Sequence, residues 1–183
     1  MKSYIKERLI FGVIIAIVAI PIMLFAEKCQ GQGFQKDETD KFTGTRTLTT
    51  NEYTLAKTFG VKNLWAKGLI SISKKDTIYT IALYFFPGDV TSIDKNNSVI
   101  FKPDSGESVK LPYAGSFKII GGSMNKQSIE YFFVIVNKDV LETLSSKITD
   151  IRIETRDSNY DYVIKEKFQN GINELCKTML SLK

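Results

Sequence analysis

The residues best suited to chemistry in this chain are carboxylates, because its 183 residues include no histidine. The absence of histidine excludes Ser-His-Asp and Cys-His catalysis, imidazole bases and histidine-ligated zinc, copper or iron. The two cysteines, Cys29 and Cys176, lie far apart along the chain and cannot form a thiolate metal site. Two carboxylates that meet in space would still support a hydrolase, but no spacing in the sequence marks such a pair.

One stretch has the spacing of a metal-binding loop. Asp157, Asn159 and Asp161 alternate as the first ligands of a calcium-binding EF-hand do. That loop needs glycine at its sixth position and glutamate at its twelfth, where this chain has Tyr162 and Phe168. Because the oxygen ligands run out, a hairpin turn explains the stretch better. We therefore predict no metal ion and no cofactor.

Aromatic residues and one loop are the remaining candidates for a binding site. The glycine-rich stretch Ala114–Gln127 predicts a strand fragment followed by a loop. Loops and exposed aromatic side chains often contact ligands, so we predict binding residues at Trp65, Tyr113, Phe117 and Asn125. For Trp65, the sequence favours a place in the hydrophobic core over a place in a binding site.

Apolar runs and alternating stretches predict the strands that position these residues. Leu64–Ser73 alternates apolar or small residues with polar ones such as Lys67, which is typical of a strand with one solvated face. Thr77–Phe86 and Ser128–Val136 are apolar on both faces, as in central strands. Thr149–Arg156 alternates isoleucine with charges of both signs, which predicts a solvated face with cross-strand ion pairs.

Two helices complete the predicted fold. Lys138–Ser145 follows the capping residue Asn137, and Phe168–Leu182 carries one apolar stripe. Asn51–Phe59 is ambiguous and is predicted as a helical turn. The predicted fold class is α+β, with about seven or eight mostly antiparallel strands in a curled sheet, sandwich or barrel-like body, one short helix and a C-terminal helix packed on it.

The N-terminal residues have the pattern that addresses a chain to a membrane. The basic tail Met1–Arg8 precedes Leu9–Ala26, an uncharged apolar run of 18 residues. This run lies between the roughly 7–15 residues of a signal peptide and the roughly 17–25 of a spanning helix. The predicted organisation is a signal peptide or membrane anchor at 1–26, a flexible linker at 27–41 and one globular extracytoplasmic domain at 42–183, either membrane-anchored or secreted and periplasmic.

The cysteines leave alternatives open. Cleavage after Gly31 would remove Cys29, whereas an uncleaved chain would permit a Cys29–Cys176 bridge. A lipid-modified Cys29 is a further alternative, although Lys28 stands where a small residue is usual. Cys176 lies in an apolar helical pattern, which predicts a buried free thiol.

The charge pattern limits the classes of partner that the chain can bind. The formal net charge is +5, and no block of like charges follows the apolar run. Nucleic-acid binding needs a clustered basic footprint, so we predict no nucleic-acid partner. The predicted partners are the membrane, through residues 9–26 if they are uncleaved, and an envelope protein.

Two short motifs carry a resemblance. Asp40-Lys41-Phe42-Thr43-Gly44, followed by Thr49-Thr50, and the strand-like Ile148–Ile153 after a short helix resemble small exported bacterial domains of uncharacterised function. The resemblance covers Asp40 to the end of the chain. It implies a bacterial cell-envelope protein and brings no functional residues with it.

The sequence therefore predicts a non-catalytic extracytoplasmic binding or structural module of the cell envelope. The first alternative is a small-ligand or lipid carrier, with a cavity between sheet and helix lined by Tyr79, Phe85, Tyr131 and Phe133. The second alternative is a carboxylate-based hydrolase.

Overall fold

The chain folds around two open antiparallel sheets. A computed structural model describes residues 34–57, 63–85, 93–94, 96–120 and 128–182. Within these ranges the strands and two α-helices form an α+β fold, which confirms the predicted class, and the sheets do not close into a barrel. The apolar run Leu9–Ala26, Cys29 and Asn125 lie outside the described residues.

The larger sheet has six strands. They are β1 (Phe34–Thr39), β2 (Arg46–Ala56), β3 (Leu64–Ile72), β4 (Thr77–Phe85), β7 (Gly115–Ile120) and β8 (Ser128–Val136), and their order across the sheet is β1-β2-β3-β4-β8-β7. The predicted strands at 64–73, 77–86 and 128–136 are confirmed within one residue. β3 and β4 form a regular hairpin whose register runs from Leu64 opposite Phe85 to Ile72 opposite Thr77.

The smaller sheet has four strands. They are β5 (Ser98–Pro103), β6 (Val109–Pro112), β9 (Ile148–Glu154) and β10 (Asn159–Val163), in the order β10-β9-β5-β6. The stretch with metal-loop spacing is the turn between β9 and β10, closed by a bond of 2.9 Å from the Thr155 backbone N–H to the Ser158 carbonyl. This confirms the predicted hairpin turn.

Both predicted helices are present. α1 (Lys138–Leu144) begins at Asn137, whose side chain accepts a hydrogen bond of 2.9 Å from the Val140 backbone N–H. α2 (Asn170–Leu180) follows a short 3-10 turn and packs on β2 and β3. Gly68 permits this close approach, because a Cβ at that position would lie 2.6 Å from the Met179 sulfur. No helix among the described residues is long and apolar enough to cross a membrane.

One hydrophobic core contains the inner faces of both sheets and both helices. Alternate residues of each strand point into it, as the two-residue period of a strand requires. Among them are Ile70, Ile81, Leu83, Val99, Phe101, Phe132, Val134, Ile151 and Ile153, each with essentially no exposed surface. Cys176 is also fully buried in the core as a free thiol, as predicted.

Two predictions about the first part of the domain are wrong. Phe34–Thr39, inside the predicted linker 27–41, is strand β1. Cross-strand pairing with β2 holds it there, including two bonds of 2.8 and 2.6 Å from Arg46 to Asp37. The predicted helical turn at Asn51–Phe59 is strand as far as Ala56, because β2 pairs with both β1 and β3.

Candidate binding face

Four aromatic side chains lie side by side on the larger sheet, on the face turned away from the core. Trp65 is opposite Tyr84, Tyr84 is opposite Tyr131, and Tyr131 is opposite Phe117. They belong to β3, β4, β8 and β7, four neighbours in the sheet. We call this set the aromatic row and the surface that carries it the aromatic face.

The rings of the aromatic row are stacked on one another. Ring centroids are 5.3 Å apart for Trp65 and Tyr84, 5.2 Å for Tyr84 and Tyr131, and 4.6 Å for Tyr131 and Phe117, with interplanar angles of 14°, 21° and 5°. These distances are close to the spacing of about 4.7–4.9 Å between neighbouring strands. Rings that lay edge to edge in one plane could not have centroids this close together. The faces of neighbouring rings are therefore turned towards one another, and the ring edges point away from the sheet.

A second row of residues lies next to the aromatic row. Glu52 is opposite Lys67, Lys67 is opposite Ala82, and Ala82 is opposite Phe133. Lys67 lies on a strand with neighbours on both sides, and the residue is only 9% exposed. The predicted solvated face of this strand is therefore wrong at Lys67.

Apolar burial extends along the same face. Leu69, two residues beyond Lys67, is 1% exposed although it does not belong to the core cluster. Ile135, two residues beyond Phe133, is 48% exposed. The aromatic face therefore combines fully buried apolar residues with an apolar rim that contacts solvent.

Burial perturbs the polar groups of this face. It lowers the pKa of Lys67, an effect that the nearby Glu52 carboxylate opposes. Burial is also the largest cause of the raised pKa of Tyr84, and Glu52 adds to it. The Tyr84 hydroxyl is buried and has no hydrogen-bond partner of normal geometry among the described residues. The Glu52 carboxylate contributes a side-chain hydrogen bond to the raised pKa of Tyr84, so this hydroxyl stays protonated at neutral pH beside an acidic neighbour.

Two of the four predicted binding residues, Trp65 and Phe117, lie at opposite ends of the aromatic row. Tyr113 does not join them, because it is 6% exposed and its hydroxyl donates to the Ser98 and Glu154 carbonyls at 2.7 and 3.0 Å. That prediction placed a core residue at the surface. The fourth, Asn125, is outside the described residues.

Sequence reasoning missed Tyr84 and Lys67 as members of this face. The signal for Tyr84 was the β3–β4 hairpin itself, since a hairpin register that starts at the turn places Tyr84 opposite Trp65. No sequence signal marks the burial of Lys67, which depends on β2 and β8 as well.

The cavity predicted for a ligand carrier is not formed by the residues proposed for it. Tyr79 and Phe85 face the core, whereas Tyr131 belongs to the aromatic row and Phe133 to the row beside it. Two of the four side chains therefore lie on each face of the larger sheet, because the odd-numbered residues of β4 point towards the core and those of β8 point away from it.

The smaller sheet has a different outer face, which we call the charged face. Arg152 of β9 donates to Asp161 of β10 at 2.6 and 2.9 Å, and Lys110 of β6 lies 3.1 Å from Glu154 of β9. These bonds confirm the predicted cross-strand ion pairs. Bordering them is a shallow groove of about 590 Å³, lined in part by Ile100, Lys102, Asp150 and Val163.

The two faces differ in the chemistry of their side chains. Within the described ranges, no three potential metal ligands among Cys, Asp and Glu converge. The aromatic face offers carboxylate, amine and phenol groups beside a large apolar surface, which is a set of groups suited to contact. Comparison of the chain with family models, curated proteins and solved structures finds no match.

Proposed function

We propose that this chain is a non-catalytic binding module that holds a protein partner of the cell envelope on its aromatic face. The aromatic row is the observation that carries the proposal. Tyrosine, tryptophan and phenylalanine are enriched at protein interfaces, where they supply large contact areas at small entropic cost. Four of them stacked across neighbouring strands form a rigid surface that is already ordered before binding.

The orientation of the rings favours a protein over a flat small molecule. A sugar or nucleobase binds an aromatic side chain by lying on its ring face. Between neighbouring members of the aromatic row, those faces are in contact with each other. The edges that point outward, with Ile135 beside them, suit interdigitation with the side chains of another protein.

Polar groups within the face support the same proposal. Tyr84 and the cross-strand pair Lys67 and Glu52 place hydroxyl, amine and carboxylate groups beside the aromatic row. Glu52 is exposed, so its carboxylate is accessible to a donor group of a partner.

The cellular location belongs to the same proposal. The basic tail and the uncharged run Leu9–Ala26 support export from the cytoplasm. The expected result is full-length protein in the membrane fraction if the run is an anchor, or a chain beginning near Gln32 in the soluble extracytoplasmic fraction if it is cleaved. Intact mass measured on both fractions distinguishes them, and full-length protein confined to the cytoplasm would overturn the location.

Crosslinking of the full chain in its source organism tests the binding function. We expect the partner recovered with the native chain to fall about tenfold for Ile135→Ser, because an apolar anchor at the rim is lost. Val163→Ser is the matched control, since Val163 is 74% exposed on the smaller sheet. Mass spectrometry quantifies the recovered proteins. Equal recovery from both variants, with both shown to be folded by circular dichroism, would refute the aromatic face as the binding surface.

A further inference from the structure

Among the described residues, the two open sheets leave four edge strands, and three of these carry features that block pairing with another strand. β1 carries Lys36, Asp37 and Glu38 in succession, and its register with β2 shifts between Phe34 and Lys36. β6 has four residues and ends in Pro112. Charges, bulges, short length and proline all protect edges against association.

β10, the third protected edge, is also short. It has five residues, and Asp161 at its centre is held by Arg152 of the neighbouring strand. A second strand added beside β10 would have to accommodate this charge pair. None of these three edges is suited to continue its sheet.

β7 is the exception. Its six residues, Gly115–Ile120, include no proline, and their register with β8 is continuous from end to end. The one charge, Lys118, lies 2.8 Å from the Glu130 carboxylate on β8. Within the described residues, β7 pairs with no strand other than β8.

The aromatic row ends on this same strand. Phe117 stacks on Tyr131 at 4.6 Å, and β7 is the last strand of the larger sheet. An aromatic residue opposite Phe117 on an added strand would continue the row with the same spacing. We propose that a second copy of this chain supplies that strand, so that β7 of each copy pairs antiparallel and the two larger sheets become one.

Symmetry limits the possible registers of this pairing. A two-fold axis perpendicular to the sheet keeps both aromatic faces on one side, so the axis must pass through a residue pair. Centred on Phe117, it stacks the two Phe117 rings and places Lys118 opposite Ser116 of the second copy. Centred on Lys118, it would oppose two ammonium groups, which destabilises a sheet. The proposed pairing is centred on Phe117, because only this centre places the two Phe117 rings opposite each other.

Crosslinking of the full chain in detergent tests this register, with Cys29→Ser in every variant. Residues opposite each other in antiparallel strands have Cβ atoms about 4.5–5.5 Å apart, so Phe117→Cys should form a covalent dimer under mild oxidation. Val163→Cys on β10 is the control for random collision. We expect the Phe117→Cys dimer to form at least about tenfold faster than the Val163→Cys dimer. Equal rates would overturn the proposal.

Hydrogen exchange of the unsubstituted chain gives a second test that needs no folded variant. The outward backbone N–H groups of β7 should be protected at high protein concentration and lose protection on dilution, whereas those of β10 should not change. Exchange of β7 that is fast at every concentration would also overturn the proposal. Association through residues 9–26 alone would leave β7 unprotected, so the two modes of association are distinguishable.

Discussion

The two sheets of this protein treat their outer faces in opposite ways. The charged face pairs Arg152 with Asp161 and Lys110 with Glu154, so its polar groups satisfy one another in contact with solvent. The aromatic face buries Lys67 and Leu69 and leaves the apolar side chain of Ile135 about half exposed. A face whose charges are paired needs nothing further, whereas a face with stacked rings and an apolar rim is suited to a partner.

The largest expected effect comes from placing a new charge on each face. Leu69→Asp should lower the free energy of unfolding by roughly 3–5 kcal/mol, because it buries a carboxylate without a partner. Ile100→Asp, on the half-buried rim of the groove of the charged face, should cost well under half as much. Urea unfolding of both variants measures the difference. Equal losses would mean that the two faces are equally solvated.

The next effect separates two tyrosines by size. Tyr113→Phe should destabilise the fold by about 0.5–1.5 kcal/mol, since its hydroxyl donates to the core carbonyls of Ser98 and Glu154. Tyr84→Phe should cost less, because its hydroxyl has only the exposed Glu52 side chain beside it and makes no bond of normal geometry. Thermal unfolding of the two variants provides the test, and a loss for Tyr84→Phe as large as that for Tyr113→Phe would contradict the expectation.

Lys67 gives the aromatic face a pH dependence of its own. Because burial lowers its pKa below the usual 10.5, the unfolded chain binds more protons there than the folded one, and stability should rise with pH towards 10.5. Lys67→Met should raise stability by about 1 kcal/mol at neutral pH and remove that alkaline rise. Unfolding measured from pH 7 to 10.5 tests both expectations, and a variant with the unchanged pH slope would contradict the assignment to Lys67.

The smallest effect belongs to the charged face. The Arg152 guanidinium lowers the pKa of Asp161, so this pair stabilises the fold above the usual carboxyl pKa of 3.8 and ceases to do so as the pH falls through the lowered value. Asp161→Asn should therefore reduce stability only slightly at neutral pH and not at all at low pH. The difference should disappear in about 1 M salt, which screens exposed charges. A loss that persists in salt would show that the pair is more than a surface contact.

Local patterns were sufficient for most elements of this fold. Ser128–Val136, the hairpin of β3 and β4 and the capped helix after Asn137 all follow from periodicity and turn chemistry within a few residues of each element. β1 was missed because its polar residues read as linker, and only pairing with β2 makes it a strand. The second half of β2, Asn51–Ala56, was missed for the same reason.

The candidate site, too, was predictable from the sequence only in part. The types of its residues were visible, but Trp65, for which the sequence favoured a place in the core, lies outside the core cluster, as does Phe117. Their distance along the chain hid the fact that they share one row. Tyr113 was misplaced because its aromatic ring and loop position give no sign of the Ser98 and Glu154 carbonyls that its hydroxyl meets in the core.

The sequence by itself determined most of the strands, both helices and which residues share a face of each of these elements, because the periods of two and 3.6 residues are local properties of the backbone. The tertiary structure alone decided the strand order β1-β2-β3-β4-β8-β7. That order brings Trp65, Tyr84, Tyr131 and Phe117 into contact and buries Lys67 beside them. Pairing between distant strands depends on how the whole core packs, and no short stretch of sequence records it.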